Sequence, residues 1–148
     1  LHFHHLATHP EHQRVLREDP SKIGLAIQEL MRAYAAVTTM RICKNEVTMH
    51  GVTIKPGDRV AMSTPLGSND PALFESPQEV RLDRRPVHLS LGLGIHRCLG
   101  AHLARRELQV AMTDMLAQLP EFKVKPGFKV PFLLSNVIHI QELPLVWG

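Results

Sequence analysis

Apolar residues recur at helical spacing in two stretches of this chain and alternate in several shorter ones. Ile23, Ala26, Ile27, Leu30, Met31 and Tyr34 share one helix face. Asp19-Pro20 opens that helix with a capping carboxylate and a proline at its first position. Leu99, Leu103, Leu108, Ala111, Met112, Met115, Leu116 and Leu119 form a second stripe. It predicts a helix over residues 99–119, ended by Pro120. Residues 1–9 read as the end of a helix stopped near Pro10, and residues 10–17 as a short charged helix. Residues 37–42 are rich in β-branched side chains and predict a strand. Residues 46–54 alternate around His50-Gly51, a hairpin turn, and a turn over residues 55–58 leads into a strand over 59–62. From Ser63 to Pro86 periodicity fails among prolines and polar residues. Short strands follow at 122–124, 137–140 and 143–147. The fold class is therefore mainly α with small β-sheets, α+β.

Composition narrows this little. The 148 residues suffice for one compact domain, and 44% of them are hydrophobic. A net charge of +3 is too mild to point to nucleic acid. No apolar run reaches the roughly twenty residues that cross a bilayer, so no membrane role is expected. Cys43 and Cys98 lie far apart, and a chain of this size needs no disulfide, which suggests a reducing cytoplasm. The chain opens with Leu1 in mid-pattern, as a piece of something longer would.

The chemistry concentrates in residues 90–100, where Gly92, Gly94 and Gly100 surround His96 and Cys98. Gly92 and Gly94 permit a tight turn. Cys98 falls at or just before the first turn of the second helix, where unpaired N–H groups favour a thiolate, the metal-binding form. Gly100 would let a flat ligand approach the backbone. A zinc site of His96, Cys98 and His102 is an alternative, since Cys98 and His102 are four apart. Elsewhere, Glu29 and Arg32 are three apart and share a helix face. His5 and His9 have i,i+4 spacing, but no carboxylate or cysteine joins them, so a solvated helix end is expected there.

The loop resembles the haem-binding loop of the cytochrome P450 family, Phe-(Gly/Ser)-x-Gly-x-(His/Arg)-x-Cys-x-(Gly/Ala). Gly92, Gly94, His96, Cys98 and Gly100 match, and Leu91 replaces the Phe. Glu29-Leu30-Met31-Arg32 stands at the family's Glu-x-x-Arg. The resemblance runs along the whole chain but covers only the family's C-terminal part. It implies haem b with Cys98 as axial ligand, amides after Cys98 aimed at its sulfur, and His96 and Arg41 on propionates. Leu91, Gly92, Leu99 and Gly100 would touch the cofactor. It implies a structural network of Glu29, Arg32 and a second Arg, Arg84 or Arg85, with Arg84 favoured. Phe74, in a run resembling the family's Asp-Pro-x-x-Phe, becomes a core anchor. Val37, Thr39, Asn136 and Val137 would face a small hydrophobic substrate, a terpenoid by likeness to camphor-type members. The oxygen-activating acid–alcohol pair would precede Leu1, so no catalytic residue is expected here. The implied activity is monooxygenation with O₂ and electrons from a ferredoxin, docked near Arg97, His102, Arg105 and Arg106. A non-catalytic interaction protein is the remaining alternative.

Overall fold

The computed structural model describes residues 1–147. It opens with three helices joined by the shortest possible breaks: α1 (His2–Thr8), α2 (Pro10–Glu18), and α3 (Ile23–Ala33), which is preceded by a 3₁₀ turn (Pro20–Lys22). Each break sits at the residue before a proline. His9 (φ −131°, ψ 76°) and Asp19 (φ −134°, ψ 84°) both leave the helical region, because the proline ring clashes with a helical predecessor. Asp19 also accepts a hydrogen bond from the Ser21 amide at 3.2 Å. Pro10 thus starts α2 as it stops α1.

Strands β1 (Thr38–Ile42) and β4 (Arg59–Ser63) pair antiparallel, in register Thr38 with Ser63. The hairpin of β2 (Val47–Met49) and β3 (Val52–Ile54) is a separate two-stranded sheet between them. It turns through His50 and Gly51, both at positive φ, as a two-residue turn between twisted strands requires. The irregular stretch after β4 is not wholly irregular. It begins with α4 (Thr64–Ser68), capped by the Ser63 hydroxyl accepting from the Leu66 amide at 3.4 Å. The long helix α5 (Ala101–Gln118) starts two residues later than its apolar stripe predicts. Beyond it, β5 (Phe122–Val124) pairs with β8 (Leu145–Trp147), and β6 (Phe132–Leu133), unexpected from sequence, pairs with β7 (His139–Ile140). Val137 precedes β7 and makes an isolated antiparallel bridge to Val37.

The core is where α1, α2, α3, the C-terminal half of α5 and β5 meet. Leu6, Leu16, Ile27, Leu30, Met112 and Phe122 are among its fully buried members. Polar groups tie it together. Buried Gln13 donates to the carbonyls of Leu6 (2.8 Å) and Phe122 (2.7 Å) and accepts from the Phe122 amide (3.2 Å), joining α2 to α1 and β5. Arg17 donates to the carbonyls of Leu116, Leu119 (2.7 Å) and Pro120 (2.9 Å), satisfying the C-terminal end of α5.

Three expectations about packing are corrected. The α5 stripe is not buried throughout: Leu99 is fully exposed and Leu103 62% exposed, although Ala101 between them is buried. His5 is not on a solvated helix end but is 1% exposed, packed inside the junction of α1, α2 and Tyr34. Phe74 stays half-buried, its ring 5.2 Å from the Arg32 guanidinium instead of within the apolar core.

Candidate functional site

The glycine loop leaves the core at Leu91 and returns at α5. Leu91 packs half-buried against the core, and its carbonyl accepts the Cys98 amide at 2.8 Å, closing the loop at its base. Gly92 (φ 69°) and Gly94 (φ 65°) supply left-handed turns that side chains disfavour. A 3₁₀ turn (Gly94–His96) follows, and Arg97 donates its amide back to Gly94 at 3.1 Å. Ala101 and Ala104 then donate to the carbonyls of Cys98 (3.2 Å) and Gly100 (2.8 Å), starting α5. Cys98 is exposed and is a free thiol, as is Cys43. Ile95 (96% exposed) and Leu99 (100%) flank it as bare apolar side chains.

This geometry corrects two readings. No amide of the described residues reaches the Cys98 sulfur; the first amide of α5 goes to the Cys98 carbonyl instead. The zinc alternative required Cys98 and His102 on one helix, but α5 begins at Ala101 and leaves Cys98 outside it. Among the described residues no group of three His, Cys, Asp or Glu gathers as metal ligands. Gly100, at φ −79°, has a backbone open to any residue, and an added Cβ would meet only the Cys98 sulfur at 3.9 Å.

Behind the loop lies a buried ion network. Helical spacing puts Glu29 and Arg32 on one face of α3, and their side chains join by two 2.8 Å bonds, Nε to Oε2 and Nη2 to Oε1. Both are 0% exposed. Arg84 adds Nε to Glu29 Oε1 at 3.1 Å, and the Arg81 amide reaches the same oxygen at 3.1 Å. Arg85 is exposed and makes no bond to Glu29. The remaining guanidinium hydrogens of Arg32 go to the carbonyls of Ser68, Pro77 (2.8 Å) and Glu79 and to Asn69 Oδ1. One arginine thus holds α3, α4 and the chain leading to the loop.

Two hydroxyls carry that connection onward: Ser68 accepts the Leu89 amide at 3.1 Å, and Ser90 donates to the Met31 carbonyl. Gln28 Oε1 accepts Arg105 Nε of α5 at 3.3 Å and lies 3.4 Å from His88 Nε2. Burial, helped by Arg105 and Arg32, holds the His88 imidazole below its usual pKa.

The structure brings Val37, Asn136 and Val137 together. Thr38 donates its amide to Asn136 at 2.8 Å and Ile138 to Ala36 at 2.8 Å, on either side of the Val37–Val137 bridge. Thr39 is exposed on β1. Thr64, unnoticed in the sequence, brackets Val37: its hydroxyl donates to the Val37 carbonyl at 2.7 Å and accepts the Val37 amide at 3.2 Å. Val37 and Ser90 line one cavity of about 320 Å³ with Phe3, Met31, Tyr34 and Leu108. Arg41 is exposed on β1, donating to the Met40 carbonyl at 2.9 Å. His96, Arg97, His102 and Arg106 are exposed, whereas Arg105 is half-buried.

A glycine-braced cysteine loop thus enters a long helix beside a buried Glu-x-x-Arg network. The cytochrome P450 family model matches residues 1–145, and the chain belongs to that family. It is 37% identical over 145 residues to the "Probable cytochrome P450 127A1" of Sinorhizobium fredii, covering 97% of this chain and 35% of that one. It is 38% identical over 154 residues to the "Biotin biosynthesis cytochrome P450" of Bacillus subtilis, covering 96% and 36%. Among solved structures, CYP101C1 superposes at a TM-score of 0.92 with 45% identity, over 98% of this chain and 38% of that one. The chain thus spans a little over a third of the length of these relatives. Its mixed helices and small sheets are the C-terminal portion of the P450 fold. No described helix is long and apolar enough to cross a membrane.

Proposed function

We propose that this chain is the C-terminal, haem-binding part of a monooxygenase, residues 1–148 forming one unit with Cys98 as the axial iron ligand. One observation carries the reading. Cys98 stands exposed between the bare side chains of Ile95 and Leu99, on a loop held open by two left-handed glycines and closed at its base on Leu91. An accessible soft thiol in apolar surroundings fits the iron of haem b. Haem bound there supplies O₂ activation, from which one oxygen atom enters an organic substrate.

The chain's own residues hold and shape that group. Glu29, Arg32 and Arg84 anchor the backbone leading to the loop. Gly92 fixes the turn, Leu91 and Leu99 give apolar contact, and Gly100, which neither backbone nor protein neighbours demand, leaves space for a flat ring. His96 and Arg41 are assigned to the propionates as hydrogen-bond donors. Val37, Thr39, Asn136 and Val137 are assigned to a small hydrophobic substrate, with terpenoids the first class to screen. Arg97, His102 and Arg106 give a basic face for an acidic ferredoxin. The two free thiols accord with a cytoplasmic location.

The test is the absorption spectrum of the reduced, CO-treated haem protein. The reading expects the strongly red-shifted Soret band of thiolate-bound iron, lost in Cys98→Ser, since an alcohol is a far poorer iron donor. A wild-type protein without that band, or a Cys98→Ser variant that retains it, overturns the reading.

A further inference from the structure

The histidines at the start of the chain have no part in the site above, yet they are built into the core. His5, on α1, is 1% exposed. Its Nδ1 lies 2.8 Å from the Tyr34 hydroxyl, at the end of α3, and its Nε2 lies 2.7 Å from His12 Nδ1, on α2. The His9 ring stacks on it with centroids 4.0 Å apart, and the His9 and His12 rings stack at 5.7 Å. One side chain therefore joins three helices through both ring nitrogens.

We propose that this cluster is an acid-sensitive latch: neutral His5 locks α1 to α2 and α3, and its protonation releases α1.

The chemistry follows from the bonds. A neutral imidazole has one donor and one acceptor nitrogen. Tyr34 donating to Nδ1 and Nε2–H donating to His12 satisfy both. A second proton on His5 turns Nδ1 into a donor, so that the Tyr34 hydroxyl must turn from donor to acceptor, and puts a buried cation against two imidazoles. No carboxylate answers it from any packed element. From α1 and its cap the facing groups are His2, His4 and His9. From α2 they are His12, with Glu11 beside it, and from α3, Tyr34. Strand β5, also packed on α1, carries only the exposed Lys123.

Burial, reinforced by the neighbouring histidines, pulls the His5 pKa down to about 3, and burial takes His2 to about 4. In the unfolded chain such groups titrate near 6.5. Between the two values the unfolded state binds more protons, so stability rises with pH there. The latch's contribution is complete above about pH 6.5 and is lost as pH falls toward the folded value. Release would also loosen one wall of the cavity that Tyr34 shares with Val37 and Ser90.

Histidine-selective ¹⁵N NMR and amide hydrogen exchange, followed together on this chain from neutral to acid pH, test this. At about pH 5, where an exposed imidazole is almost wholly charged, His5 should remain neutral with α1 amides protected. On further acidification, His5 charging and loss of α1 protection should share one midpoint. Tyr34→Phe, which removes the hydroxyl and keeps the ring, should move that midpoint upward. The latch is overturned if His5 titrates like an exposed histidine while α1 stays protected, or if α1 opens with His5 still neutral. It is equally overturned if Tyr34→Phe leaves the midpoint in place.

Discussion

Glu29 and Arg32 meet through two parallel 2.8 Å hydrogen bonds, with neither side chain exposed to solvent. Removing Arg32 takes both of these bonds from a buried carboxylate, leaving it only Arg84 and the Arg81 amide, and strands the carbonyls that Arg32 serves; that penalty exceeds what the pair contributes when intact. Arg32→Ala should therefore cost about 3–5 kcal/mol, read from the denaturant midpoint of unfolding. Arg32→Lys should also be destabilising, because an ammonium cannot reproduce the fork to Glu29 while serving four other oxygens. An Arg32→Ala variant unfolding at the wild-type midpoint would contradict this.

Gln13 makes a prediction independent of charge. Its amide pairs with both the N–H and the C=O of Phe122 and also serves Leu6. Gln13→Leu keeps the volume and removes all three bonds, stranding buried backbone groups at about 1–3 kcal/mol each. The loss should appear in thermal unfolding and as faster hydrogen exchange at the Phe122 amide. Protection unchanged at that amide would mean that water or another group reaches it.

The contrast between these two residues explains what the sequence reveals. The Glu29–Arg32 pair is visible because helical spacing alone puts both on one face. The other acceptors of Arg32 are carbonyls 36 to 47 residues away, which no local pattern announces. Gln13 carries no motif at all, since its partners are the backbones of α1 and β5. The turn at Gly92 and Gly94 is legible because only glycine adopts those angles easily. Helix α4 was signalled by Ser63-Thr64-Pro65, a capping residue with proline in the first turn, but its shortness hid any apolar period. The burial of His5, expected on a solvated helix end, is hidden because hydrophobic periodicity does not count histidine, although Leu6 beside it marks the inward face. Leu99 and Leu103 are the reverse case, apolar positions of a helical stripe that the fold leaves exposed.

The basic side chains close to Cys98 in sequence do not form one uniform patch. Arg106 is exposed on α5, whereas Arg105 is half-buried and bonded to Gln28 at 3.3 Å, close to His88. Arg106→Glu in the haem-loaded enzyme should slow electron transfer from an acidic ferredoxin, and added salt should weaken the wild-type encounter. Arg105→Ala should in addition lower the melting temperature, through the lost tie between α5 and α3. Stopped-flow reduction across a salt series separates the two effects. A rate indifferent to salt, and to Arg106→Glu, would count against docking on this face.

Leu91 occupies the position where the family's loop carries Phe, and it is the residue on whose carbonyl the Cys98 amide closes. Its side chain lies half-buried against the core. A leucine keeps that position apolar but offers less area than a ring and none of its rigidity. Leu91→Phe should extend the apolar cover near the sulfur and stiffen the base of the loop without disturbing the Cys98 amide bond, which involves only backbone. With Cys98 as the proposed iron ligand, the reduction potential of the haem-loaded enzyme should shift, because it depends on burial and solvent access around the ligating sulfur. Haem transfer to an apo-acceptor should slow, while the Soret position of the ferrous–CO form should stay nearly unchanged because the ligand is the same. Potential and haem loss both equal to wild type would mean that another side chain already fills the place of the missing ring.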